Sequence, residues 1–76
     1  MPPLTHRAGS CDNGPCPNIF DYEPEPGIVA IQGTRITDPE ALAQLTGIPA
    51  HETVVLIPRT LLLEYAHMIS RKAQPA

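Results

Sequence analysis

Cys11 and Cys16 flank the turn-forming stretch Asp12-Asn13-Gly14-Pro15, a spacing that suits either a disulfide or two ligands of a tetrahedral metal ion. A structural zinc site takes four protein ligands, so His6, His51 or His67 would have to complete one built on this pair. A cytoplasmic setting keeps thiols reduced, which makes two reduced cysteines, with a disulfide appearing in vitro, and no cofactor the expectation; zinc on Cys11 and Cys16 is the alternative. Asp12 works against a nearby thiolate and no Lys or Arg adjoins either cysteine, so neither is built for thiol chemistry. The histidines form no catalytic set. His51 lies in a polar turn beside Glu52 and His67 in the last helical stretch, whereas nucleophilic catalysis needs a nucleophile, a base and an orienting carboxylate converging in a pocket. Glu23 and Glu25, separated by Pro24, read as a solvated connection. Gly27 and Gly33 flank a strand without the spacing or following helix of a phosphate loop. The expectation is a protein that is not an enzyme.

Binding remains, and binding needs a scaffold. The chain has 76 residues with 5 Lys+Arg against 8 Asp+Glu, a formal charge of −3, so the basic surface that general nucleic-acid affinity requires is missing. No stretch reaches the apolar length of a membrane span, and the opening residues lack the apolar core of a signal peptide, which gives a cytoplasmic expectation.

Residues 1–10 carry two prolines, a glycine and no periodicity, and predict a flexible arm. Residues 11–72 read as one small domain and 73–76 as a disordered tail. Within the domain, residues 18–22 alternate as a short strand, with Phe20 and Tyr22 on one face and Ile19 on the other. The β-branched run at 28–33 suits the sheet centre. Thr37-Asp38-Pro39-Glu40 opens a short helix that Gly47 closes. Residues 53–57 give another strand, apolar on both faces and ended by Pro58. Thr60 then caps a helix at 61–72, with Leu62, Tyr65, Ala66 and Ile69 as its apolar face and Leu61 and Met68 widening it. The order β-β-α-β-α predicts an α+β fold with a small three-stranded, mainly antiparallel sheet.

A count of surfaces then bears on function. Two short helices roof one face of such a sheet, yet both strand-like runs offer apolar side chains to both faces. Leaving a Val, Leu or Ile exposed forgoes roughly 1.5–3 kcal/mol, which a domain this small can ill sustain. The uncovered face is covered by the cysteine-bearing segment or is an interface for a protein partner or a second copy. Val29, Ile31, Val55, Ile57 and Leu63 are the residues expected to bind that partner.

Two resemblances extend this reading. Cys16-Pro17-Asn18-Ile19-Phe20, the Gly-led strand from Gly27 to Gly33, and the run from Val54 through Pro58 to Tyr65 together resemble the small actinobacterial BldB-like proteins over about residues 11–65. This implies a partner of the helix-turn-helix transcription regulators and a role in transcription regulation. The chain departs from that pattern in having no Trp and an added helix near residues 38–45. Val55-Leu56-Ile57-Pro58-Arg59-Thr60-Leu61-Leu62 also resembles the swapped-hairpin antitoxin and transition-state regulators. Here that implies a small DNA-binding dimer with Arg35 and Arg59 on the duplex.

Overall fold

The computed structural model describes residues 2–9 and 16–73. Strands β1 (Leu4–Ala8), β2 (Asn18–Tyr22) and β3 (Val29–Gln32) form an antiparallel sheet in the order β1-β2-β3. There follow β4 (Thr34–Arg35), α1 (Pro39–Gln44), β5 (Val55–Leu56) and α2 (Arg59–Ala73), with β4 and β5 paired in a separate two-stranded ladder. The fold is therefore α+β with a small antiparallel sheet, but its membership corrects the expected one in three places. Leu4–Ala8, expected as part of a flexible arm, is a strand of the main sheet. The run at 28–33 forms an edge, not the centre, and β2 takes the middle. Of residues 53–57 only Val55 and Leu56 form a strand, and they pair with β4. Cys11 and residues 74–76 of the expected tail lie outside the described residues, and residue 73 closes α2.

β1 joins the sheet through side chains that composition does not flag. The register slips between His6 and Ala8, a bulge that turns Arg7 and Ala8 to the same face as Ile19 and Asp21 while His6 faces the other way. On that other face Asn18 is wholly buried and ties all three strands together. Its Nδ2 donates to the Cys16 carbonyl at 2.9 Å and to Gln32 Oε1 at 3.1 Å, and its Oδ1 accepts from His6 Nε2 at 2.9 Å. With both amide hydrogens spent, Oδ1 must accept, so the His6 nitrogen carries the hydrogen. Gly9, at φ 120°, sits against this hub, where an added Cβ would lie 2.2 Å from Asn18 Oδ1 and 2.5 Å from the Pro17 carbonyl. Such a position admits only glycine.

α1 starts as the sequence predicts. Asp38 Oδ1 accepts from the Glu40 N–H at 3.0 Å and Pro39 occupies the first turn. Gly33 separates β3 from β4, and a Cβ there would lie 2.6 Å from the Leu56 carbonyl, so the missing side chain lets the backbone before α2 approach. α2 begins at Arg59, before the expected Thr60 cap. Its inward stripe is Leu61, Tyr65 and Met68, not the Leu62, Ala66, Ile69 stripe, and the latter three are exposed. Both stripes have helical spacing; the buried one carries the phenol that can hydrogen-bond Asp21.

The core is small. Among the described residues the buried apolar side chains are Ala8, Ile19 and Leu61, with Ile57 and Tyr65 packed against them, while ten large hydrophobic side chains stand exposed. The radius of gyration is 14.5 Å, against about 11 Å expected of a compact domain of this length. Among the described residues no helix is long and apolar enough to cross a membrane.

Candidate functional site

Leu61 packs on Ala8 and Ile19, and the Tyr65 hydroxyl donates to Asp21 Oδ1 at 3.1 Å, so α2 runs along β2 in the same direction. Asp21 Oδ2 also accepts from Arg7 Nε at 2.7 Å. Burial raises the Tyr65 phenol above its ordinary range; the hydrogen bond to Asp21 and that carboxylate's charge add to the rise, and Arg7 opposes it. The helix packs chiefly on β1 and β2. β3 is left as a margin, and there the apolar surface collects.

Val29 and Ile31 pair with Asp21 and Ile19, so their side chains stand on the helix side of the sheet, 38% and 41% exposed. Across from them α2 presents Ile69 and, by helical spacing, Leu62, both exposed. Ile28, Val29, Tyr65 and Ile69 are among the residues lining a groove of about 560 Å³ between strand and helix.

The same margin is open along its backbone. The Tyr22 N–H donates to the Ile28 carbonyl at 3.1 Å, which sets the ladder so that Ile28, Ala30 and Gln32 bond toward β2. The N–H and C=O groups of Val29 and Ile31 therefore point outward, and among the described residues no strand lies beyond β3. Unpaired edge groups beside exposed apolar side chains are what an incoming strand recognises.

Of the residues expected to bind a partner, Val29 and Ile31 come together here. Ile57 packs against the core and Val55 is half-buried in the β4–β5 ladder. Leu63 is 63% exposed and, by helical spacing, faces away from both sheet and groove. Arg35 on β4 and Arg59 at the start of α2 are exposed on separate elements. Cys16 is disulfide-bonded, where two free thiols were expected. The histidines considered with it are not gathered: His6 is bonded to Asn18, His51 is exposed 3.7 Å from Glu52, and His67 is exposed on α2. Among the described residues no group of three or more His, Cys, Asp or Glu is placed to hold a metal ion.

The sequence reading omits Tyr65 and Ile69 as groove residues because it gives both to the buried face. Tyr65 carried a usable signal, since a tyrosine is best placed at a core margin where its hydroxyl reaches a polar partner. No protein-family model, curated protein or solved structure matches the chain.

Proposed function

We propose that this protein is a non-enzymatic interaction module that binds a protein partner along the outer edge of β3 and the apolar groove beside α2. The observation that supports it is the coincidence at one margin of outward backbone groups and exposed Val29, Ile31 and Ile69. Exposed apolar side chains scattered singly are ordinary; a contiguous set on an unpaired strand edge marks an interaction surface. The module has so little core that contact with another chain adds a large share of its buried apolar area. A helix-turn-helix transcription regulator is the partner class that the BldB-like resemblance implies.

The test is affinity capture from the native host with the wild-type chain and a Val29→Lys/Ile31→Lys variant, alongside thermal melts of both. The reading expects a protein retained by the wild type and lost by the variant, with melting temperatures within a few degrees. Identical capture by both chains would overturn it.

A further inference from the structure

The β3 edge is complementary to itself, and from this we infer that its occupant is a second copy of this chain, paired antiparallel through β3; the inference rests on the interaction reading above. Its carrying observation is the phase of the ladder. Only Val29 and Ile31 of β3 direct both backbone groups outward, so one register uses them all: Val29 of one copy opposite Ile31 of the second, with the two-fold axis beside Ala30. Each opposed pair then exchanges two hydrogen bonds, and the two sheets become one.

Three further features fit that register. Opposed residues share a face, so Val29 and Ile31 of both copies form one β-branched cluster between the two α2 helices, the kind of cross-strand pair that stabilises sheets. Ala30 meets Ala30 of the second copy on the other face, at the non-hydrogen-bonded site where strands come closest and a methyl group fits. The segment from Gly27 to Gly33 contains no charged residue and no proline, so it lacks the usual devices that keep edges apart.

Charge at the two ends agrees. An antiparallel partner brings the acidic turn that precedes β3 toward the basic end that follows it. Glu25 in that turn and Arg35 on β4 are both exposed, and among the described residues neither has an ion-pair partner within the chain. The antiparallel arrangement thus puts the turn that carries Glu25 in one copy at the same end of the joined sheet as β4 and Arg35 of the second. A parallel pairing would set Glu25 beside Glu25 and Arg35 beside Arg35.

Sedimentation equilibrium of the full chain, with Val29→Pro as the comparison, tests the inference. The wild type is expected at twice the 8.2 kDa chain mass at micromolar concentrations. Val29→Pro removes an outward N–H that β2 does not use, so the variant should sediment as a monomer and keep its far-ultraviolet circular dichroism. Because proline at position 29 also restricts the backbone of Ile28 in the hairpin, amide exchange on the wild type gives a second reading: the Val29 and Ile31 amides should be protected in concentrated samples and exchange rapidly on dilution. A wild-type chain that stays monomeric overturns the self-pairing alone, and the broader reading then stands or falls on the capture experiment. A dimer that survives Val29→Pro, or one whose Val29 and Ile31 amides are unprotected, also overturns it.

Discussion

The two flanks of α2 lie over one sheet and are finished in opposite ways. Toward β1, Arg7 and Tyr65 converge on Asp21, and the Gly9 N–H donates to Glu64 Oε2 at 3.0 Å. The cleft on that side, about 550 Å³, is lined by Arg7, Glu64, His67, Met68 and Arg71. Toward β3, a groove of nearly equal size is bordered by Val29 and Ile69 and backed by a strand edge that, among the described residues, no further strand pairs with. Directional polar contacts fix where the helix sits. Beyond the Tyr65–Asp21 bond, whose residues also line this groove, the β3 side leaves Val29, Ile31 and Ile69 exposed, and under the proposed function a partner would cover them. One side sets geometry and the other offers surface.

The largest break in that comparison is expected at the closed side. Gly9→Ala forces a Cβ into Asn18 Oδ1 and the Pro17 carbonyl at a φ of 120°, displacing the hub that joins β1 to the sheet. Chemical denaturation should show a loss of about 3–4 kcal/mol. A loss below about 1 kcal/mol would mean that the end of β1 is not held by Asn18.

Neighbouring leucines sharpen the contrast next. Leu61 is 5% exposed and belongs to the core, so Leu61→Ala should cost about 2–3 kcal/mol, whereas Leu62→Ala, one position along, should cost under about 0.5 kcal/mol in the monomer. Equal losses would place the wrong stripe of α2 against the sheet.

A smaller effect is expected at Tyr65. Tyr65→Phe deletes one hydrogen bond to a carboxylate that keeps Arg7, and should cost about 1 kcal/mol at neutral pH. The phenol also sets a pH dependence. Its folded pKa lies above its unfolded value, so folding favours the protonated form. That contribution is fully present below the ordinary tyrosine pKa of about 10 and is lost as pH rises from there through the raised value. Thermal melts from neutral to strongly alkaline pH should therefore fall less steeply at the alkaline end for Tyr65→Phe than for the wild type. Parallel curves would remove Tyr65 as the linked group.

Local signals were legible where local chemistry decides the outcome. Asp38-Pro39 starts α1, Gly47 takes the positive φ of 89° expected past its end, and residues 18–22 form the strand their alternation implies. Long-range choices were not legible. β1 looks polar and proline-bound in isolation, and becomes a strand because a bulge, a buried Asn18 and the Arg7–Asp21 pair give it partners 12 to 14 residues away. Residues 53–57 carry strong β propensity, yet only two of them pair, because the backbone turns into α2 directly afterwards. At the candidate surface the sequence pointed correctly to excess apolar strand area but spread it over two strands. Which residues stay exposed depends on where α2 lands, and the hydrogen bonds to Asp21 decide that.

Leu63 provides the smallest expected effect and the sharpest check on which flank is open. Sequence reasoning groups it with Val29 and Ile31 because it lies off the Leu62, Ala66, Ile69 stripe. At about 100° per residue it lies some 200° from Leu61, on the back of α2 with Ser70. Leu63→Lys should accordingly leave folding stability within about 0.5 kcal/mol and leave the sedimentation profile as it is, while Val29→Lys abolishes association. A charge costs association only where apolar contact excludes water, so a loss from Leu63→Lys with none from Val29→Lys would put the contact on the back of α2. The strand edge would then be an exposed margin with no binding role.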